Sequence, residues 1–88
     1  MIRRRIVVHG TVQGVFFRAS CQQEAAKHGV AGWVANRPDG AVEATFEGED
    51  VAVEALIEWS RQGPPRAEVD AVEVSEEEPE GLRGFDVR

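Results

Sequence analysis

The chain is poor in the residues that form disulfides and metal sites. Its 88 residues include one cysteine, Cys21, and two histidines, His9 and His28. A single cysteine cannot close a disulfide within the chain or supply a multi-cysteine zinc or iron–sulfur site. The two histidines also lack the short spacing that places paired imidazole ligands on one helical face. We therefore expect no bound metal ion, and we predict that Cys21 is a small buried residue without a redox role.

Long hydrophobic runs and an excess of positive charge are also missing. The basic N-terminal stretch is followed only by the short apolar run 6–8, whereas a signal peptide needs about 7 to 15 apolar residues and a membrane span about 20. Lys and Arg number 10 against 16 Asp and Glu, so the net charge is -6. Nucleic-acid binders gain most of their affinity by neutralising phosphates with basic residues. We expect a cytoplasmic protein that binds neither membranes nor nucleic acid.

Apolar residues are frequent enough to build one core. They make up 42% of the chain, which suffices for a small domain without disulfides or metals. No low-complexity linker divides the sequence. We expect residues 1–88 to form a single domain.

Hydrophobic periodicity divides the chain into five strands and two helices. A spacing of three or four residues joins Phe17, Cys21, Ala25 and His28 in the first helix, and Gly29 is the left-handed residue expected at its end. Alternation of apolar and polar residues is typical of strands with one buried face. The predicted strands are 6–8, 30–35, 41–47, 69–74 and 85–87, and the predicted helices are 16–28 and 49–62.

The turn sequence Arg37-Pro38-Asp39-Gly40 predicts a β-hairpin between the second and third strands, because proline presets φ and glycine accepts positive φ. With this hairpin, the order of elements is the split βαβ arrangement. Right-handed crossovers then place both helices on one sheet face. We predict an α+β fold, a two-layer α/β sandwich of the ferredoxin-like type (βαββαβ). Its sheet is mostly antiparallel and has a short C-terminal edge strand.

Because this architecture hosts many activities, function must be argued from a site. The most informative segment is the loop between the first strand and the first helix, where Gly10 and Gly14 allow tight turns with positive φ. Successive main-chain N–H groups can then point inward at the start of a helix, which favours an anion. Arg18, in the first helical turn, could offer a planar fork of donors to two oxygens of that anion. The loop is neither a Walker A motif nor a dinucleotide fingerprint.

The loop sequence HGTVQGVFFR, residues 9–18, closely resembles the signature of acylphosphatases, which hydrolyse the carboxyl–phosphate bond of acyl phosphates. A second motif of that family is matched at fixed separation, so the resemblance runs through about half of the chain. The matching residues are Ala25, Gly29, Gly32-Trp33-Val34, Asn36, Gly40-Ala41-Val42-Glu43 and Gly48. The size and the split βαβ fold of the family agree with the architecture predicted above.

The resemblance implies a role for each matched residue. Arg18 would bind the phosphoryl group of the substrate, and Asn36 would orient the attacking water. The main-chain amides that would complete the phosphate site are those of Gly14, Val15, Phe16, Phe17 and Arg18. The resemblance also implies no metal, no cofactor and no covalent phosphoenzyme. We expect a monomer acting on a small acyl phosphate, and no residue pattern identifies its acyl portion.

Other polar residues are predicted to have structural roles. His9, at a strand end, is expected to be a packed or hydrogen-bonded imidazole rather than a catalytic one. The acidic stretch 73–80 is predicted to be a solvated surface, and Arg3-Arg4-Arg5 to be exposed charge at the edge of the sheet.

The sequence leaves three alternatives to the enzyme open. An anion-sensing module on the same fold would bind phosphate without turnover. An RNA-binding sheet should display exposed aromatic residues and a basic surface, and neither is visible in the sequence. A structural protein that pairs through its edge strand would have a partner but no turnover.

Overall fold

The computed structural model describes residues 1–88 and contains the predicted number, type and order of elements. In chain order they are β1 (Ile2–Thr11), α1 (Phe17–His28), β2 (Ala31–Asn36), β3 (Val42–Gly48), α2 (Asp50–Ser60), β4 (Glu68–Glu77) and β5 (Phe85–Val87). The first and fourth strands are longer than predicted, because cross-strand pairing extends the ladder beyond their apolar residues.

The five strands form one sheet in the order β4-β1-β3-β2-β5. β1 runs antiparallel to both β3 and β4, and β2 runs antiparallel to β3. Only the pairing of β2 with β5 is parallel. The predicted ferredoxin-like α+β fold, with a mostly antiparallel sheet and a short C-terminal edge strand, is confirmed.

The hydrophobic core lies between the sheet and the two helices, which pack on the same sheet face. Each fully buried aliphatic or aromatic side chain contributes about 1.5 to 3 kcal/mol to stability. The core includes Ile6, Val8, Phe17, Cys21, Val42, Phe46, Val53 and Leu56. Cys21 is therefore a core residue, as predicted. Neither helix combines the length and the apolar character that crossing a membrane requires.

α1 ends at Gly29, which takes the predicted left-handed conformation with φ of 68°. The N–H of Gly29 donates to the carbonyl oxygen of Ala26 (3.3 Å), and the N–H of Val30 donates to that of Ala25 (2.9 Å). These bonds satisfy carbonyl groups that the end of a helix leaves unpaired. The reversal turns the chain directly into β2.

The sheet face opposite the helices carries charged side chains. The prediction that Arg3-Arg4-Arg5 lies at the edge of the sheet is wrong, because β1 pairs with a strand on each side. Arg3 is only 8% exposed, and its Nε donates to Glu77 (2.9 Å), while Arg5 pairs with Glu43. The acidic residues 73–80 are exposed, as predicted. The cross-strand ion pairs therefore lie along β1 in the interior of the sheet.

Candidate active site

A pocket of about 370 Å³ opens where three strands end on the same side of the molecule. β1 and β2 point in one direction because both are antiparallel to β3, and β5 is parallel to β2. Five predicted site residues line the pocket, namely Gly14, Phe16, Phe17, Arg18 and Asn36. The fold thus brings together two motifs that are separated in the chain.

Three further lining residues were not predicted. Val12 and Ala19 flank the predicted loop residues, and Val87 comes from β5. The side chain of Val15 points instead into the core and is 9% exposed. Val15 does not line the pocket, and the part of its main-chain N–H in phosphate binding stays a prediction.

The β1–α1 loop, residues 12–16, is held in an unusual conformation. Gly14 has φ of 74°, and Phe16 has φ of 66°, the only positive φ of a residue with a side chain. A left-handed conformation costs such a residue about 1 to 2 kcal/mol, and strain of this kind is concentrated at functional sites. Val15 and Phe17, on either side of Phe16, are buried in the core. Their packing holds Phe16 in place while Phe16 itself, as a residue, is 67% exposed and lines the pocket.

The main-chain N–H groups of residues 14–18 donate to no acceptor in the protein. The first N–H groups of any helix lack partners within the helix. Here the loop adds further free donors ahead of α1, and the first turn of α1 contains no acidic residue. Because the N-terminal end of the helix dipole is positive, these donors and the dipole act together on a negative group.

Arg18 is half-buried in the first turn of α1 and forms no salt bridge with an Asp or Glu side chain. Its Nη1 donates to the backbone oxygen of Arg88 at 2.9 Å. A guanidinium has five N–H donors, so this bond leaves four of them free. The remaining donors of Arg18 are therefore available to an anion in the pocket.

Asn36 is the last residue of β2 and is exposed at the pocket. Its side chain makes no hydrogen bond to the protein, whereas its backbone pairs with Val42 in the ladder. The turn that follows is closed by a bond from the N–H of Gly40 to the carbonyl oxygen of Arg37 (3.1 Å). Asn36 thus has a rigid backbone and a free amide group.

Asp39 stabilises the same turn, which was predicted from the sequence. Its Oδ1 accepts a hydrogen bond from the N–H of Ala41 (3.1 Å), and its Oδ2 pairs with Arg37 (3.1 Å). The bond from Ala41, with a smaller contribution from Arg37, lowers the pKa of Asp39. The carboxylate is therefore a structural cap of the hairpin.

β5 reaches the pocket, although the residues of β5 contain no pattern that predicts a place in the site. The N–H of Arg88 donates to the carbonyl oxygen of Val34 (2.8 Å), and its guanidinium lies 4.8 Å from the ring centre of Trp33. Such a cation–π contact contributes about 0.5 to 1 kcal/mol at an exposed site. These contacts fix the backbone oxygen that Arg18 binds.

His9 and Cys21 take no part in the pocket. His9 lies on the opposite sheet face, where its Nε2 is hydrogen-bonded to Glu73, so the prediction of a bonded imidazole is confirmed. Burial, with a smaller contribution from Glu24, raises the pKa of the Cys21 thiol. No three His, Cys, Asp or Glu side chains are grouped so that they could hold a metal ion.

Known proteins are similar to this chain in both sequence and structure. The sequence model of the acylphosphatase family matches residues 4–87. The chain is 58% identical over 86 residues to an acylphosphatase of Thermococcus kodakarensis and 55% identical over 86 residues to one of Gloeobacter violaceus. These alignments cover 98% of this chain, and 94% and 92% of the two relatives.

A crystal structure of acylphosphatase from Bacillus subtilis has a TM-score of 0.96 and 42% identity to this chain, with coverage of 100% of this chain and 99% of that one. The similarity therefore extends over the whole fold, including the loop, the hairpin and β5. The chain belongs to the acylphosphatase family and is an enzyme that hydrolyses acyl phosphates.

Proposed function

We propose that the pocket binds the phosphoryl group of a small acyl phosphate and that a water molecule held by Asn36 attacks the phosphorus in line. The bond from phosphorus to the acyl oxygen breaks as the bond to the water oxygen forms, which releases a carboxylate and inorganic phosphate. One observation carries the proposal. Five successive main-chain N–H groups without acceptors, at residues 14–18, include that of Arg18, whose guanidinium is paired with no Asp or Glu side chain.

These donors suit the charge that develops during phosphoryl transfer. Negative charge is spread over the equatorial oxygens while the attacking and leaving oxygens lie in line. Fixed N–H dipoles and the guanidinium of Arg18 can meet that charge without rearranging. The four free donors of Arg18 are enough for a two-point contact with two phosphoryl oxygens.

The reaction needs neither a strong base nor a general acid from the protein. The leaving group is a carboxylate, whose pKa is about 4, so it departs without being protonated. The amide oxygen of Asn36 can accept a hydrogen bond from the attacking water, and its side chain is not engaged elsewhere. The mechanism is therefore proposed to be independent of metal ions and cofactors.

The proposal includes the setting in which the enzyme works. Residues 1–88 act as one domain and as a monomer, in the cytoplasm, without nucleic acid or membrane as a partner. The net charge of -6 means that a substrate with about two negative charges is captured by the local donors and not by long-range attraction.

A continuous assay of benzoyl phosphate or acetyl phosphate tests the proposal. Asn36→Ala should lower kcat by about 10³-fold or more while inorganic phosphate still inhibits, and Arg18→Ala should lose both hydrolysis and phosphate binding. Gln23→Ala, at an exposed position of α1 outside this pocket, is the matched control. A chelator should leave the wild-type rate unchanged. Wild-type activity in either site variant would reject the assignment.

A further inference from the structure

We infer that Gln13 is a positioning residue that holds the water-binding Asn36 in register with the phosphate-binding loop. The inference rests on the proposed function. The Nε2 group of Gln13 donates one hydrogen bond to the carbonyl oxygen of Arg37 (2.8 Å) and another to that of Ala41 (2.9 Å). These bonds join the β1–α1 loop to the β2–β3 hairpin.

The two bonds reach the hairpin at its neck, directly behind Asn36. Arg37 follows Asn36 in the chain, and Ala41 precedes Val42, the cross-strand partner of Asn36. The N–H of Arg37 donates to the carbonyl oxygen of Ala41 (2.8 Å), so the two carbonyl groups that Gln13 binds belong to one closed structure. A shift of Gln13 would therefore displace the neck of the hairpin, and with it Asn36 at the end of β2.

Gln13 also stands at the start of the phosphate site, because Gly14 is the first residue of the donor series. No other hydrogen bond joins residues 12–18 to residues 36–41. Gln13 is therefore the side chain that joins the phosphate-binding loop directly to the hairpin beside Asn36.

Glutamine has the chemistry that the position requires. Both partners are carbonyl oxygens, which only accept, so the side chain must present two N–H donors. An ionised carboxylate of the same length would present only acceptors to the two carbonyl groups. A methionine of similar length would fill the space without donating.

The expected effect is on the rate and not on phosphate affinity. Arg18 and the loop amides bind the phosphoryl group, whereas Gln13 sets where Asn36 stands relative to it. A misplacement of about 1 Å at a reacting centre can lower the rate by about 10²-fold. We expect Gln13→Met to lower kcat by about 10- to 100-fold, with the KM and the inhibition constant of inorganic phosphate changed by less than about 2-fold.

The matched control is Gln23→Met, the same substitution at an exposed glutamine that makes no hydrogen bond to the protein. Its kcat should equal that of the wild type. Thermal unfolding of both variants, measured beside the kinetics, shows whether each is folded at the assay temperature.

The pH dependence of kcat in Gln13→Glu distinguishes a positioning role of Gln13 from a purely structural one. At neutral pH the introduced carboxylate cannot donate, so kcat should fall at least as far as in Gln13→Met. As the pH is lowered, the protonated carboxyl regains one O–H donor. The kcat of Gln13→Glu, divided by that of the wild type at the same pH, should rise as the pH falls, whereas the same ratio for Gln13→Met should stay flat.

The outcomes separate this inference from the proposed function. If Asn36→Ala keeps its activity, the proposed function fails and the inference fails with it. If Asn36→Ala is inactive but folded Gln13→Met has wild-type kcat, only the inference is overturned. A rise in the phosphate inhibition constant with unchanged kcat would also overturn it, because Gln13 would then order the loop alone. If Gln13→Met does not fold, the pH profile of Gln13→Glu decides, and a flat profile contradicts the inference.

Discussion

The carboxylate of Glu47 accepts a 2.7 Å hydrogen bond from the main-chain N–H of Glu80, 33 residues further along the chain. Its second oxygen accepts a bond of the same length from the N–H of Leu82. Residues 78–84, the crossing segment, carry the chain from β4 at one edge of the sheet to β5 at the other. Glu47 lies on β3 in the middle of the sheet and is 1% exposed. It therefore anchors the segment that delivers β5 to the active site.

We predict that Glu47→Gln lowers the free energy of unfolding by about 3 kcal/mol, as removal of one partner from a buried charged network does. The amide has one oxygen where the carboxylate has two, so one of the two N–H donors of the crossing segment loses its acceptor. Urea unfolding measures the change. Glu76→Gln is the control, because the side chain of Glu76 is 82% exposed beside Arg4, and we expect a loss below about 0.5 kcal/mol. Equal losses in the two variants would contradict the anchoring role.

Acid should weaken the same anchor. Burial raises the pKa of Glu47, but hydrogen bonds from the amides of Glu80, Leu82 and Gly81, together with the charge of Arg3, outweigh burial and hold the pKa below its ordinary value of 4.5. A carboxylate with a lowered pKa in the folded state adds stability that is complete above its unfolded pKa and is lost as the pH falls through its folded pKa.

The free energy of unfolding of the wild type should therefore decline as the pH falls below 4.5. Glu47→Gln should decline less steeply over the same range, because it has no carboxylate to protonate at this position. Urea unfolding at several pH values tests this, and parallel curves for the two proteins would show that Glu47 does not contribute.

Cys21 should be protected from thiol reagents in the folded protein. It is fully buried in the core, and burial raises the pKa of its thiol, which keeps it protonated and unreactive. We expect labelling of the folded protein to be slower by at least about 10³-fold than labelling in denaturant, since it requires opening of the core. Rapid labelling of folded, active protein would show that α1 opens locally.

Two glycines should differ in how much they tolerate alanine. An added Cβ at Gly14 has no atom within 4 Å. We therefore expect Gly14→Ala to lower the free energy of unfolding only through its positive φ, by about 1 kcal/mol. An added Cβ at Gly32 would overlap the carbonyl group of Thr45 on the neighbouring strand. We expect Gly32→Ala to cost about 3 kcal/mol or more, because β2 and β3 must separate. Denaturant unfolding of both variants measures the difference, and similar losses would argue against the clash.

Arg18→Lys should be far less active than the wild type although it keeps the charge. Lysine offers a point charge on a flexible chain, whereas two-point binding of a phosphoryl group uses the planar fork of arginine. We expect kcat/KM to fall by about 10²-fold, which is less than the loss in Arg18→Ala. Activity of Arg18→Lys close to that of the wild type would show that charge alone is sufficient.

The sequence predicted the elements because apolar spacing and turn residues act locally, and it predicted the candidate site residues through the resemblance to acylphosphatases. Apolar spacing identified α1, glycine marked its end at Gly29, and Pro38 with Gly40 marked the hairpin turn. The two motifs around Arg18 and Asn36 were found by that resemblance, since each is a short run of characteristic residues. Residues of both motifs line one pocket, and their catalytic roles stay predictions.

Only the tertiary structure decided how these parts meet. Strand order placed Arg3 inside the sheet and not at its edge, and it covered Glu47 with a segment that is distant in sequence. It also brought Val87 to the pocket and set Gln13 against the hairpin neck. Periodicity reports which face of an element is buried but not what covers that face, because pairing between distant segments depends on the packing of the whole chain.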